Sequence, residues 1–146
     1  MGIVIAVCTS PAKGTQKSRI EEGNFIEDFG LEGDAHAGKW HRQISLLSYD
    51  KIEAFRARGA EVEDGAFGEN LIVQGIDFRT LPVGTRLKCN DVLLEMTQIG
   101  KECHYGCQIF QKMGECIMPR EGVFAKVLHG GKIKAGDEMI ILPVDE

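Results

Sequence analysis

The sequence has no long hydrophobic run, no excess of positive charge and no basic leader at its start. No stretch approaches the roughly 20 apolar residues that a membrane-spanning helix needs. Seventeen Lys and Arg face twenty-two Asp and Glu, a net charge of −5, which disfavours binding to the phosphate backbone of nucleic acids. The apolar run Met1–Cys8 has no basic residues before it and ends in turn residues, unlike a signal peptide. We therefore expect a cytoplasmic protein that binds neither nucleic acid nor membranes.

Cysteines are few and odd in number. Five cysteines without an export signal indicate free thiols in a reducing compartment rather than a disulfide framework. Hydrophobic residues make up 43% of the 146 residues, which is enough for one core without cross-links. We expect a single domain over residues 1–146.

Short apolar runs that end in glycine or other turn residues predict a mainly β fold. Val92–Ile99 is the clearest run, because Val92, Leu94 and Met96 alternate with Glu95 on the opposite face. The complete set of predicted strands is Gly2–Cys8, Gln43–Leu47, Asn70–Gln74, Thr85–Asn90, Val92–Ile99 and Glu138–Leu142. Many short strands favour a closed or nearly closed β-barrel, since closure removes exposed sheet edges.

A few short helices accompany the predicted strands. Tyr49–Arg58 has Ser48 as its N-cap and Gly59 after its end. Two further predicted helices are His104–Lys112 and Val123–Leu128, the second closed by Gly130 and Gly131. The polar segment Ala12–Ser18 is expected to be a loop.

A cluster of cysteines follows the clearest strand. Cys103 and Cys107 lie four residues apart, and Cys116 follows. A strand that runs into a helix N-terminus, with Lys101 nearby, would stabilise a Cys103 thiolate, which can carry sulfur or bind a soft metal. Cys107 could resolve a disulfide or persulfide on Cys103, or simply pack inward.

Not every cysteine is expected to be chemical. Cys8 and Cys89 stand alone in predicted strands, where small buried hydrophobic residues are the simpler interpretation. The spacing of the other three lacks the two separated pairs of a structural zinc site. We therefore expect no dedicated zinc ion.

Glycines and charged residues combine in the segment Gly30–Gly38. It contains Asp34 and His36, and Arg42 follows. Glycines allow backbone N–H groups to point at an anion, and an arginine offers a fork for phosphate or carboxylate. The alternative is an ordinary surface loop.

Two further motifs carry polar residues next to regular structure. Glu69 and Asn70 stand where a strand begins and could hold the polar edge of a ligand, although a charged turn would have the same composition. Arg120 precedes a predicted helix, a position suited to phosphate and equally to a surface charge.

Taken in order, these motifs resemble the MOSC domain, named for the C-terminal domain of molybdenum cofactor sulfurase. The resemblance rests on segments that span nearly the whole chain: Gly33-Asp34-x-His36-x-Gly38, Arg42-Gln43, Phe67-Gly68-Glu69-Asn70-Leu71, Thr97-Gln98 with Cys103, and Gly122-Val123-Phe124-Ala125 through Gly130-Gly131 to Gly136-Asp137. The resemblance implies a barrel of the MOSC type, similar to the pyruvate kinase barrel, and one reactive cysteine at Cys103. Glu102 stands where the family usually has proline, and a carboxylate there would oppose a thiolate.

The resemblance also implies a ligand. Cys103 would either carry sulfur as a persulfide to molybdenum or ligate the molybdenum of a bound molybdopterin cofactor. The cofactor-binding residues would be Asp34, His36, Arg42, Glu69, Asn70 and Arg120. The family also has an association with pyridoxal phosphate. The implied partners are a cysteine desulfurase and an enzyme that makes or uses the molybdenum cofactor.

Three functions follow as hypotheses. The first is a sulfur carrier or sulfurtransferase for the molybdenum cofactor. The second is a small molybdenum-dependent reductase of N-hydroxylated compounds with Cys103 as metal ligand. The third is a non-catalytic cofactor-binding module whose thiols have no chemical role.

Overall fold

The computed structural model describes residues 2–10, 17–35, 37–59, 64–65, 69–99 and 122–142. Within these ranges the chain forms eleven strands, one α-helix and one 3-10 helix. In chain order they are β1 (Gly2–Thr9), β2 (Ser18–Ile20), β3 (Glu22–Ile26), β4 (Gly30–Leu31), β5 (Ile44–Ser48), α1 (Tyr49–Ala57), β6 (Leu71–Gln74), the 3-10 helix (Phe78–Thr80), β7 (Arg86–Cys89), β8 (Val92–Ile99), β9 (Val123–His129), β10 (Gly131–Lys134) and β11 (Glu138–Ile141).

Seven strands close into a barrel. Their order is β11-β7-β8-β9-β5-β6-β1, and β1 pairs again with β11 through Gly2 and Met139. Every pair around the barrel is antiparallel except β5 with β6, which run parallel with Leu46 opposite Leu71. The closed, mainly β architecture predicted from the sequence is confirmed.

A second, smaller sheet extends the same core. Its order is β10-β3-β4, with Ile133 of β10 opposite Gly23 of β3. Phe25, Leu31 and Ile133 from this sheet are buried in one cluster with the barrel interior. The apolar faces of the two sheets therefore stabilise each other.

The alternation of β8 matches its prediction. Val92, Leu94 and Met96 are buried in the barrel. Glu95 faces outward, where its carboxylate pairs with Arg86 of β7 and Lys126 of β9. This strand fixes the register of its neighbours, because a slip of one residue would turn its apolar face to water.

The predicted helix Val123–Leu128 is wrong, because this segment is the strand β9. Ala125 and Val127 point into the core, while Lys126 and Leu128 alternate with them at half-buried positions. The period is two, and pairing with both β5 and β8 satisfies its backbone groups. Gly130 follows the strand at a close approach to β3, where a Cβ would lie 2.6 Å from the Phe25 carbonyl oxygen.

Helix α1 confirms the first helix prediction. It runs over Tyr49–Ala57 with Ser48 at the N-cap position, although the Ser48 side chain makes no capping hydrogen bond. Gly59 follows with a φ of 102°, the left-handed conformation that glycine adopts after a helix. The predicted helix His104–Lys112 lies outside the described residues. Across the described ranges, no helix is long and apolar enough to cross a membrane.

Candidate functional site

One row of residues crosses the neighbouring strands β8, β9 and β5 and continues to Asn70, just before β6, and to β1. Gln98 of β8 lies opposite Phe124 of β9, and Phe124 lies opposite Ser45 of β5. The Asn70 amide donates to the Ser45 carbonyl at 2.9 Å, and the Cys8 amide donates to the Asn70 carbonyl at 2.7 Å. We call these five residues the cross-strand row. Gln98 and Phe124 of this row lie next to the point where the chain leaves β8 at Ile99 and returns at Gly122 before β9.

Arg42 is held at the Gln98 end of this row. Its Nε donates to Gln98 Oε1 at 3.1 Å, and its guanidinium carbon lies 5.0 Å from the centre of the Phe124 ring. His41 Nε2 lies 2.9 Å from the same Gln98 oxygen, and the Thr97 hydroxyl donates to the His41 carbonyl. We call His41, Arg42, Gln98 and Phe124 the Arg42 cluster. Charge-assisted and cation–π contacts thus fix the direction of the guanidinium.

Within the described part of the chain, the outer nitrogens of Arg42 are left for a ligand. The hydrogen bond to Gln98 uses Nε, and no other described residue bonds the two terminal nitrogens. These two nitrogens form the fork that recognises phosphate and carboxylate. Trp40 is 40% exposed, and its ring packs edge-on against His41 with 5.7 Å between the ring centres. The arrangement suits an anionic group at the surface.

Asn70 sits inside the row and is bonded to three protein groups. Its Oδ1 accepts from the Ser45 amide at 2.9 Å and the Ser45 hydroxyl at 3.3 Å. Its Nδ2 donates to the Cys8 carbonyl at 3.1 Å. Asn70 is buried, so these bonds tie β1, β5 and β6 together. The prediction that Asn70 also binds a cofactor stays a prediction.

Asp34 is buried at the end of β1. Its Oδ1 accepts from Lys17 Nζ at 2.6 Å, from the Thr9 hydroxyl at 3.1 Å and from the Ser10 amide at 3.2 Å. The carboxylate therefore anchors the glycine-rich segment to β1 and β2. Lys17 was expected in a loop, but it is buried and Ser18 begins β2. A cofactor contact of Asp34 remains a prediction.

Glu69 is also buried and faces a tight backbone contact. Its Oε2 accepts from the Gly65 amide at 3.1 Å, and the Gly65 carbonyl accepts from the Lys17 amide at 2.9 Å. Gly65 has a φ of 91°, and a Cβ there would lie 2.2 Å from the Lys17 oxygen. Only glycine permits this approach. Glu69 thus supports the same end of the barrel as Asp34, and its predicted ligand contact is still open.

The two described cysteines are poor nucleophiles. Burial, aided by the nearby Glu69 carboxylate, raises the pKa of Cys8 to about 12. Burial also raises the pKa of Cys89 to about 12, with a smaller effect from Asp137. A thiol with such a pKa holds its proton at neutral pH and reacts slowly. The structural interpretation of these two cysteines agrees with their burial.

Several predicted site residues lie outside the described ranges. They are His36, Cys103, Cys107, Cys116 and Arg120. In the part of the chain that the structure describes, no three His, Cys, Asp or Glu side chains converge as metal ligands. The predictions for molybdenum, zinc and pyridoxal phosphate remain predictions.

Sequence reasoning did not foresee the contacts of Lys17, His41, Gln98 and Phe124. Lys17 stands in a polar run whose composition indicates a loop, and Gln98 was noted only beside Thr97 in a motif. The contact partners of Arg42 lie 56 and 82 positions away, so local pattern carries no signal for them. The available hint is an alternating strand that ends in Thr97-Gln98-Ile99.

Comparison with known proteins agrees with this architecture. The family model described as MOSC domain matches residues 33–140. Similar solved structures include the YuaD protein of Bacillus subtilis, with a TM-score of 0.78 at 18% identity over 95% of this chain and 94% of that one. YiiM from Geobacillus stearothermophilus has a TM-score of 0.74 at 17% identity over 98% and 76% of the two chains. YiiM from Escherichia coli has a TM-score of 0.67 at 20% identity over 98% of this chain and 70% of that one. Among curated protein sequences, none matches.

Proposed function

Since the chain belongs to the MOSC domain family, we propose that it is a sulfur carrier for the molybdenum cofactor and that Cys103 holds the sulfur as a persulfide. The family is associated with sulfur-carrier and sulfurtransferase-like proteins of molybdenum cofactor metabolism. A sulfur carrier needs one accessible thiol with a thiolate at neutral pH and a surface for its acceptor.

The observation that carries the proposal is the burial of Cys8 and Cys89. Both thiols have a pKa raised to about 12, so reactive sulfur chemistry requires one of the other three cysteines. Cys103 follows Ile99 by four positions, and an extended chain of that length spans at most about 14 Å. The sequence therefore limits how far Cys103 can lie from Ile99, at the end of β8 to which the Arg42 cluster is bonded.

The proposed chemistry is an exchange of one sulfur atom. The Cys103 thiolate attacks the outer sulfur of a donor persulfide, forming a new S–S bond while the donor thiolate leaves. Transfer to the acceptor breaks that S–S bond and returns Cys103 to its thiolate. Loading consumes no oxidant, because the sulfur stays at the sulfane level. Delivery to molybdenum as sulfide would take up two electrons, which a thiol reductant or reduced molybdenum on the acceptor would supply. We propose a cysteine desulfurase as donor.

We propose the molybdenum cofactor, on an enzyme that makes or uses it, as acceptor. Its pterin carries a phosphate, and the open nitrogens of Arg42 suit such a group. Asp34, Glu69 and Asn70 already bond protein groups, so the fit depends chiefly on Arg42, with Arg120 proposed as a second arginine. When bound, the cofactor supplies the molybdenum that receives sulfur. We also propose that this exchange takes place in the cytoplasm.

Mass spectrometry after incubation with a cysteine desulfurase and cysteine tests the sulfur step. We expect one additional sulfur atom on the peptide that contains Cys103 and none in Cys103→Ser. The control Cys89→Ala should load normally, because the Cys89 thiol is buried. Loading that persists in Cys103→Ser would contradict the assignment. Protein that carries pterin and molybdenum but never persulfide would instead favour the reductase.

Calorimetric titration with isolated molybdopterin tests the arginines. Arg42→Ala and Arg120→Ala should each weaken binding by roughly ten- to hundredfold, the equivalent of one charge-assisted hydrogen bond. Arg42→Lys should weaken binding less than Arg42→Ala does, because lysine keeps the charge and loses only the planar fork. If both alanine variants bind like the parent, the phosphate lies elsewhere.

A further inference from the structure

The shared acceptor of the Arg42 cluster fixes which nitrogen of His41 carries hydrogen. Gln98 Oε1 lies 3.1 Å from Arg42 Nε and 2.9 Å from His41 Nε2. An amide oxygen only accepts, so His41 Nε2 must donate. In the neutral ring, Nδ1 then carries a lone pair. In the protonated ring, Nδ1 becomes a second donor and the ring becomes a cation.

His41 and Arg42 are close enough to act on one ligand. His41 Nε2 and Arg42 Nε bond the same Gln98 oxygen, so these two nitrogens lie no more than 6.0 Å apart and the imidazole and guanidinium groups are neighbours. His41 is exposed and Arg42 half-buried, so a ligand in solution can reach both. No described residue bonds His41 Nδ1 or the terminal nitrogens of Arg42. Two adjacent cations repel each other, and an anion between them relieves that repulsion.

The surroundings of His41 contain no competing carboxylate in direct contact among the described residues. His41 contacts the Trp40 ring, the Gln98 amide and the Thr97 hydroxyl. Lys39, earlier on the same loop, is exposed and adds positive charge.

The nearest ionisable groups on the adjoining strands are already paired. On β8, the next ionisable side chain on the Thr97 face is Glu95, which pairs with Arg86 of β7 and Lys126 of β9. The described charge that shares a hydrogen-bond acceptor with the His41 ring is the Arg42 guanidinium, which is positive.

We propose that His41 and Arg42 together form a pH-dependent binding site for doubly charged oxyanions of the phosphate and sulfate type. Protonated His41 adds a donor and a charge, so the anion should bind more tightly to the protonated ring, which lower pH favours. The inference deepens the proposed function, because it names His41 as the residue that makes cofactor or donor phosphate binding depend on pH. It does not require that Cys103 carries sulfur.

Sulfate is the appropriate probe, since it keeps both charges across the pH range in which histidine titrates. We would titrate sulfate into the full chain at about pH 8 and about pH 5.5, at low ionic strength, and follow the His41 ring by NMR. Binding should be about tenfold tighter at the lower pH, the low end of the range for one charge-assisted bond, because His41 is exposed.

Three variants separate the contributions. His41→Gln should bind equally weakly at both pH values, and Arg42→Ala should lose affinity at both. His129→Gln is the matched control: His129 is also exposed and bonds the Asp91 carbonyl at 2.7 Å, but lies at the opposite end of β9. Its pH dependence should equal that of the parent. Thermal unfolding of each variant checks that the fold is retained.

Two results would overturn the proposal: a pH dependence that survives in His41→Gln, or sulfate binding that Arg42→Ala leaves unchanged. Cys103→Ser should bind sulfate as the parent does. Failure of the anion site and failure of the sulfur carrier are therefore distinguishable, because persulfide loading and sulfate binding are measured independently.

Discussion

The buried ion pair between Lys17 and Asp34 gives the sharpest stability prediction. Lys17 Nζ lies 2.6 Å from Asp34 Oδ1, and the two side chains are 1% and 0% exposed. Lys17→Met removes the cation, so the buried Asp34 carboxylate loses its contact with Lys17 Nζ. Breaking a buried pair in this way costs about 3–5 kcal/mol. We expect a loss of that size in the free energy of unfolding, measured in urea.

A matched surface pair provides the control. Lys132 lies 3.8 Å from Glu22, with side chains 68% and 47% exposed. Lys132→Met should cost only about 0–1 kcal/mol, because exposed ion pairs are solvated and screened. The same side chain is removed in both variants. Equal losses would refute the claim that burial makes the Lys17 pair important.

A double variant separates charge from packing. Asp34 also accepts from Thr9 and Ser10, so Asp34→Leu alone loses these contacts and leaves Lys17 buried without that carboxylate. Combining Lys17→Met with Asp34→Leu removes both charges, and the double variant should be more stable than the sum of the single losses predicts. Strict additivity of the two losses would mean that the charges do not interact.

Three further predictions test the barrel end, the strand register and the thiols. Asn70→Ala should lower the free energy of unfolding in urea by about 2–5 kcal/mol, because it leaves several buried groups without this partner at about 1–3 kcal/mol each. The control Asn24→Ala, at an exposed position, should change it by no more than about 0.5 kcal/mol. Similar losses in the two variants would contradict the Asn70 hydrogen-bond network. Leu94→Ala should cost about 2–5 kcal/mol and Glu95→Ala no more than about 1 kcal/mol, and comparable losses would mean a misassigned register. Burial raises the pKa of Cys89 from 9.0 to about 12, so the unfolded chain releases this proton first. Above about pH 9, this thiol alone should lower stability with a slope of up to about 1.4 kcal/mol per pH unit, and Cys8 should add a similar slope. Cys89→Ala should make that decline shallower, and an unchanged slope would argue against the raised pKa.

The strands that sequence alone predicted are short runs rich in Val, Ile and Leu that end at turn residues. Val92–Ile99 was predicted with the correct bounds because its apolar residues recur at every second position. The strand β3 was missed because its inward positions are Gly23 and Phe25, with charged or polar neighbours between them. A Cβ on Gly23 would lie 2.8 Å from Leu31 and 2.9 Å from Val7. The glycine thus allows tight packing, yet in a sequence it indicates a turn.

The wrong helix has a related cause. Val123–Leu128 is a short apolar run that contains one lysine and is followed by two glycines, Gly130 and Gly131. Such a run fits a buried strand as well as a helix. Pairing with β5 and β8 decides between them. These contacts join residues far apart in sequence, which no local pattern reveals.

The predicted site residues differ in what they leave open to a ligand. A molecule from solvent has to compete with protein groups for a side chain that is already bonded. Asn70 bonds the neighbouring strands through its side chain, and Asp34 bonds Lys17, Thr9 and Ser10. Arg42 uses Nε and the face of its guanidinium, so no described residue occupies the fork.

Distance along the cross-strand row separates these two groups further. Gln98 and Asn70 are three strand spacings apart, roughly 14 Å at about 4.8 Å per spacing. A single phosphate cannot contact both ends of that span. Loss of Asn70 should therefore act on folding before it acts on affinity, whereas loss of Arg42 should act on affinity with the fold retained. Measuring unfolding and ligand binding on the same pair of variants distinguishes a residue that builds the end of the barrel from one that faces the ligand.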